Sequence, residues 1–342
     1  MKLRFLPPIL CFLIAIFSFS CSTDSDSDTK EPEIPVVKDQ YNYIALRNDG
    51  TLFSIGDNSG IVTSIGKVPG LEFNTIFNTV TSSPTHTYIY EAWFDPIEGR
   101  IFKLNKETYQ SEKIILNFPE EFGDNPGIMA MDWDETNQEL IGVVRQEFDV
   151  PSFGSPIKIV RINPVTFEFT VLQNINLNTQ GYKEVYSSQL IGQKLYLSAS
   201  KDNKVDHTDL LEIDLNEKTF KLLPQEDTET GLLNLGYIPG TQKLFGFAPI
   251  LNSSYMGAVR PYVYNINDEE MEEISTASNI SAIQFAHKTF YNSQIDKFIG
   301  LIAKEGFSLY SFDPNTNKFS FSSIENPEDL STMIAIISVE KL

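Results

Sequence analysis

Two groups of oxygen-bearing side chains could do chemistry in this chain. The first lies in one short stretch, "DNKVDHTD", where Asp202, Asp206, His207 and Asp209 fall within eight residues. Clustered carboxylates suit a hard divalent cation such as calcium, which binds through oxygen; a solvated loop is the simpler reading. The second group is dispersed. Asp132, Glu184 and Asn234 are 52 and 50 residues apart, with Asn78 and Gln284 at similar steps on either side. Strands carrying them side by side around one axis could present them to a common point, where a divalent cation would serve hydrolysis or elimination. A one-residue slip in strand register would turn each of them to the opposite face. The "MDWDE" stretch at 131–135 has acids and Trp133, but a strand end running into a turn explains it equally. His86, His207 and His287 are far apart in sequence, and each reads as an ordinary strand or loop residue. The chain has no G-x-S-x-G, no Walker loop, no Cys pair and no H-E-x-x-H.

Positioning these residues falls to a repeat. "DLLEIDLNEKTFKLL" (209–223) alternates apolar and polar residues, breaks at a polar turn, and resumes the alternation, as a hairpin does. The same phrase recurs as Phe53-Ser-Ile55-Gly56, Phe102-Lys-Leu104-Asn105, Val160-Arg-Ile162-Asn163, Leu211-Glu-Ile213-Asp214, Tyr264-Asn-Ile266-Asn267 and Tyr310-Ser-Phe312-Asp313, with final residues 49, 58, 51, 53 and 46 apart. Asn and Asp bond their own backbone two residues on, and Gly tolerates positive φ, so each copy ends in a turn-former. A second hairpin precedes most copies, as in "MAMDWDETNQELIGVV" and "LNLGYIPGTQKLFGF". Four strands about every 50 residues, with no long amphipathic helix between them, predict a β-propeller.

The first copy lacks its preceding hairpin, and "STMIAIISVEKL" at the far end is a lone strand. Joined, the two fragments make one complete sheet. The expected fold is all-β: a six-bladed propeller of four-stranded antiparallel blades over residues 41–342, closed by the C-terminal strand pairing in the N-terminal blade. A pair of β-sandwiches is the alternative. The pattern resembles the six-bladed propellers of the TolB-like and NHL-like type over about residues 41–342. Propeller lactonases and related enzymes hold a metal near the axis, and that likeness makes Asp132, Glu184 and Asn234 a candidate axial set.

With strands labelled A to D outward from the axis, A–B and C–D turns share one face; B–C loops and blade crossings share the other. The turn face carries short segments such as "PGTQ" and "DPNTN". The other carries "NFPEEFGDNPG", "QEFDVPSFGSP", "NLNTQGY", "KDNKVDHTD" and "PILNSSYMGAVRP", mostly on blades 2 to 5. Long loops are uncommon unless they have a use or are disordered. Phe148, Phe153, Tyr182 and Tyr255 on this face are candidate contacts for a protein or glycan. Neutral drift of loop length is the plainer reading.

The 342-residue chain carries Lys and Arg 26 times and Asp and Glu 46 times, a net charge of -20. No basic cluster relieves it, which excludes nucleic acid and charge-driven binding to an anionic bilayer. The N-terminus, "MKLRFLPPILCFLIAIFSFSC", has a basic start, an apolar run over Phe5–Phe19, and small Ser18 and Ser20 before Cys21. That is signal-peptide patterning, too short and too interrupted by Pro7 and Pro8 for a comfortable span. The placing of Cys21 resembles the lipobox of bacterial lipoproteins, a loose fit with Phe19 and Ser18 at usually small or aliphatic positions. The resemblance implies cleavage before Cys21 and acylation of its thiol; ordinary cleavage near Ser20 is the alternative. Removing residues 1–20 loses Lys2 and Arg4 and no acids, which brings -20 to -22. Cys11, the other cysteine, lies within the signal, so the mature chain has no internal disulfide. Residues 21–40, with "STDSDSDTKEPEIP", cannot build a core and read as an acidic tether. Its acidity resembles the signal that sends some lipoproteins to the outer face of the outer membrane. A calcium loop is a poor reading there because Lys30 stands where glycine is needed. The expected protein is a monomeric binding propeller, lipid-anchored to the outer membrane and facing outward. The alternative is a hydrolase or lyase with an axial divalent cation.

Overall fold

Alternating side chains and Asx-type turns build six sheets. The computed structural model describes residues 38–72, 79–94, 97–146, 157–173, 177–202, 204, 207–225, 230–250, 258–274, 280, 282–283, 288–303, 307–325 and 333–342. Blade 1 comprises β1 (Tyr41–Arg47), β2 (Thr51–Gly56), β3 (Val62–Lys67) and, innermost, β25 (Met333–Lys341). Blade 2 is β4 (Thr79–Ser82), β5 (His86–Phe94), β6 (Ile97–Asn105) and β7 (Ser111–Ile115). Blade 3 is β8 (Gly127–Asp134), β9 (Glu139–Arg145), β10 (Ile157–Ile162) and β11 (Phe169–Gln173). Blade 4 is β12 (Glu184–Ile191), β13 (Lys194–Ser200), β14 (Thr208–Asp214) and β15 (Thr219–Leu223). Blade 5 is β16 (Leu233–Ile238), β17 (Lys243–Pro249), β18 (Val259–Asn265) and β19 (Glu270–Glu273). Blade 6 is β22 (Lys297–Ala303), β23 (Phe307–Asp313) and β24 (Lys318–Ser323), with an inner strand in two pieces, β20 (Ala282–Ile283) and β21 (Phe290–Asn292). The only helical turns among the described residues are Glu120–Phe122 and Leu177–Gln180, both 3₁₀.

The innermost strands touch in a cycle: β25 with β4, β4 with β8, β8 with β12, β12 with β16, and β21 with β25. The remaining step, blade 5 to blade 6, is a parallel bridge between Leu235 and Lys288. The ends of the chain close the ring, with Tyr43 opposite Val339 and Leu46 opposite Ala335.

Strand periodicity explains how each blade binds both neighbours. On β1, Ile44 and Leu46 pack into the core shared with blade 2. Tyr43 and Ala45, on the opposite face, pack into the core shared with blade 6. The recurring apolar pair of each third strand turns toward the preceding blade: Phe53 and Ile55 join the blade 6 side, Phe102 and Leu104 the blade 1 side, and Tyr310 and Phe312 the blade 5 side. Between blades 5 and 6 the filling is aromatic, with Phe245 stacked 4.7 Å from Phe312 and 4.9 Å from Phe298.

The turns after the repeats share one design. Asn105, Asn163 and Asp214 each accept, through Oδ1, the backbone N–H groups two and three residues on. The fifth residue of each then takes a left-handed conformation: Tyr109, Phe167 and Lys218 at φ 55°, 58° and 61°. Gly60 occupies the matching place in blade 1 at φ 66°. Blade 5 corrects the sequence reading by two residues. There β18 ends at Asn265, whose Oδ1 accepts the N–H of Asn267, and Glu269 is the left-handed residue at φ 57°. The repeat unit is therefore Tyr262–Asn265; a two-residue slip preserves facing, which is why Tyr264–Asn267 fitted the pattern equally well.

Candidate functional site

Bulges in the inner strands decide what meets at the axis. The pairing of β8 with β9 slips between Ile128 and Ala130, that of β12 with β13 between Val185 and Ser187, and that of β16 with β17 between Leu233 and Gly236. Each slip reverses which side chains face inward along the rest of the strand. In blade 6 the inner strand is in two pieces: Ile283 pairs with Ile302 and Phe290 with Ile299. Lys288, between the two pieces in sequence, bridges to Leu235 of blade 5.

The Lys288 ammonium lies 2.5 Å from Asp132 Oδ1 and donates to Thr81 Oγ1 at 3.2 Å. Asp132 is 2% exposed. Its Oδ1 also accepts the Leu190 N–H at 2.8 Å, and its Oδ2 accepts the Ser188 hydroxyl at 2.5 Å. Ser187, on the other side of the same strand, accepts the Leu235 N–H through its Oγ at 2.8 Å. One ammonium and one carboxylate thus tie blades 2, 3, 4 and 6 together. Beside them lies a cavity of only about 10 Å³, lined by Asn234, Lys288, Thr289, Tyr310 and Ile336 among others. That is room for about one water. A compact cation with three donors stands where an axial metal would be sought.

Asp132 and Glu184 have different partners, Lys288 and Arg145, and Asn234 lines the cavity beside Lys288. Glu184, at the loop end of β12, pairs with Arg145, whose Nη1 also donates to the Lys183 carbonyl at 3.3 Å. Both side chains are buried, and burial raises the Glu184 carboxyl above its ordinary range despite the opposing pull of Arg145. Asn234 sits at φ 50° beside the small cavity. Among the described residues no three His, Cys, Asp or Glu side chains gather as a metal set. The "MDWDE" acids divide: Asp132 faces the axis, while Asp134 accepts the Thr136 and Asn137 N–H groups and pairs with Arg161.

The loop end of blade 4 collects most of the other candidates. Asp202 accepts the Ser200 hydroxyl at 2.9 Å and lies 2.7 Å from His207 Nδ1. Tyr182 differs from the exposed contact expected of a loop aromatic. It is 2% exposed because its ring packs under Lys201, whose ammonium lies 4.7 Å from the ring centroid, and its hydroxyl donates to Asp209 Oδ2 at 2.6 Å. Lys201 pairs with that same oxygen at 3.1 Å. Burial, then the bond to the Asp209 carboxylate, holds the phenol of Tyr182 far above its ordinary range. Cys21, Asn78, Phe148, Phe153, Asp206, Tyr255, Gln284 and His287 lie outside the described residues. Sequence reasoning missed Lys288 and Ser188, and it grouped Asp209 with a possible cation cluster when its partners are Tyr182 and Lys201. The one available signal for Lys288 was a lone lysine in a stretch without acidic residues, "AIQFAHKTFYN".

No protein-family model matches the chain. No curated protein matches it in sequence. Solved structures do share its architecture. An oligogalacturonate lyase in complex with manganese aligns at a TM-score of 0.50 and 11% identity, covering 84% of this chain and 78% of that one. An oligogalacturonate lyase from Vibrio parahaemolyticus gives 0.47 and 11%, covering 82% and 78%. Tricorn protease gives 0.50 and 13% over 84% of this chain, which spans 27% of the protease chain. At such identities the likeness is one of fold, and a propeller hosts many functions.

Proposed function

We propose that this protein is a lipid-anchored binding propeller that engages a protein or glycan through its loop face. The observation that supports this reading is the uneven distribution of chain between the two faces. Turns of two to six residues join A to B and C to D in every blade where those strands are sequential. On the other face, connections of seven to eleven residues join B to C in blades 3, 4 and 5, while blades 1, 2 and 6 use two or three. Three adjacent blades therefore carry the extra chain, as a one-sided contact surface would. Phe148, Phe153 and Tyr255 fall in those connections or beside them. The anchor is Cys21, followed by the acidic tether to residue 40; the outer face of the outer membrane is its proposed station. The alternative, a hydrolase or lyase using an axial divalent cation, would require Lys288 to withdraw from Asp132.

The test is to replace residues 146–156 and 250–258 with three-residue turns like those of blades 1 and 6. Binding of the purified chain to a glycan array and to intact cells is then compared with the parent at equal thermal stability. Loss of the parent's signal supports the loop face, and an unchanged signal removes it. For the anchor, Cys21→Ala is expected to shift the chain from the detergent phase to the aqueous phase on Triton X-114 partition. Continued partition into detergent would refute acylation at that thiol.

A further inference from the structure

A cleft of about 330 Å³ opens at the loop end of blade 4, lined by Asp209, Leu222, Leu223, Pro224 and Gln225. Its size is at the lower end for a small-ligand site. The β14–β15 pairing creates it: Leu210 sits opposite Leu223, so Asp209 and the two residues after β15 flank the same opening. Leu222, 49% exposed, offers an apolar surface at the opening beside Asp209.

The polar groups are unevenly matched. The hydroxyl of Tyr182 and the ammonium of Lys201 both engage Asp209 Oδ2 and fix the carboxylate. Among the described residues the buried Gln225 Oε1 has no partner, and Asp209, whose side chain is 33% exposed, borders the same opening. A buried acceptor left without a donor is costly. The buried Gln225 acceptor, the exposed Asp209 carboxylate and an apolar wall of Leu222 and Pro224 suit a ligand bringing donors on one edge and C–H groups on one face. A second anion would meet acceptors, and Lys201 is already committed to Asp209.

We infer that this cleft is a subsite for a single neutral pyranose: hydroxyls donate to Asp209 Oδ1 and Gln225 Oε1, and the C–H face of the ring lies on Leu222 and Pro224. This deepens the loop-face reading and rests on it, since it names sugar as the ligand class and blade 4 as its place.

Saturation-transfer NMR and titration of the full purified chain with neutral methyl glycosides of glucose, galactose, mannose and N-acetylglucosamine test the assignment. At least one is expected to bind with transfer strongest at ring C–H protons. Asp209→Asn, which keeps an acceptor for Tyr182, and Leu222→Ala, on an exposed side chain, are each expected to weaken it at least fivefold. Their double substitution should abolish binding, with thermal midpoints near the parent's. Glucuronate should bind at least fivefold more weakly than glucose. No binding by any neutral glycoside at 10 mM, equal binding by both single variants, or glucuronate binding as well as glucose would each overturn the subsite. The two readings fail separately. Should the shortened loops lose an array or cell-surface partner that Asp209→Asn retains, the sugar subsite falls and the loop face stands. Should the glycoside bind as described while the shortened loops lose nothing, the subsite stands and the extended loop surface falls.

Discussion

The ring axis and the loop end of blade 4 both hold a lysine, a carboxylate and a hydroxyl, yet the groups are used differently. At the axis, Asp132 receives Lys288, Ser188 and the Leu190 N–H, and the space left beside Lys288 is about 10 Å³. In blade 4, Tyr182 and Lys201 crowd one oxygen of Asp209 beside a cleft of about 330 Å³. A polar cluster whose members satisfy one another holds elements together. One that leaves an acceptor beside open space can take a donor from outside, from water or from a ligand. Residue type alone does not separate these cases; the difference lies in which atoms already have partners.

The comparison can be broken most forcefully at the axis. Lys288→Met should cost about 3–5 kcal/mol, because it strands a buried carboxylate. Urea denaturation of the variant and of Asp132→Asn/Lys288→Met reads the coupling. A double variant as unstable as the sum of the singles would show that the pair is not one unit. Lys201→Met in blade 4 should cost less than about 1 kcal/mol, since that ammonium is 53% exposed.

Two equivalent turn positions extend the contrast between filled and open surroundings. A Cβ added at Gly60 would lie 2.1 Å from the Ser323 carbonyl oxygen of blade 6, at φ 66°. Gly60→Ala should therefore lower stability by about 3 kcal/mol, from strain and from displacement of the neighbouring backbone. Lys218 holds the same turn position at φ 61° but is exposed.

Glu91 offers a pH-dependent version of the same question. Its side chain is fully buried, with Oε1 accepting the Glu72 N–H at 2.8 Å and Arg100 3.6 Å from Oε2. Burial outweighs both and pushes its pKa up to about 7. Below the ordinary carboxylate range the group is neutral in folded and unfolded chains alike. Between the ordinary carboxylate range and about 7 the unfolded chain ionises it while the folded chain keeps the proton, so stability falls as pH rises, and the loss is complete once pH has passed through about 7. Glu91→Gln should therefore gain on the parent by about 2 kcal/mol between pH 5 and pH 8, read from thermal melts at both pH values. A constant gap would mean that Arg100 compensates the charge fully.

The smallest effect returns to Lys218. Lys218→Gly relieves the left-handed conformation and should raise stability by about 0.5–1 kcal/mol in the same melts. A loss there would show that its side-chain contacts outweigh the backbone strain.

Much of the architecture was legible because it depends on local chemistry. Asn105, Asn163 and Asp214 mark their turns through bonds to N–H groups two and three residues away. Alternation along Ile44–Leu46 and Phe102–Leu104 separates the two faces of a strand without reference to anything distant. The orphan strand at 333–341 declared its partner by elimination. The site was far less legible. Asp132 and Glu184 fall at matching intervals in the sequence, but bulges after Ile128 and Val185 alter facing along their strands, and a bulge leaves alternation ambiguous. Tyr182 looked like a loop aromatic, and only packing against Lys201 and Asp209 put it inside.

What sequence alone determined is therefore the repeat, its turns, the six sheets and the closing strand, because period-two facing and Asx turns act over a few residues. Tertiary structure decided that Lys288 meets Asp132 from another blade, and that Tyr182 and Lys201 meet on Asp209 at the edge of a cleft. Both depend on where separate stretches of chain bring atoms to within about 3 Å of one another, and no spacing along one chain carries that distance.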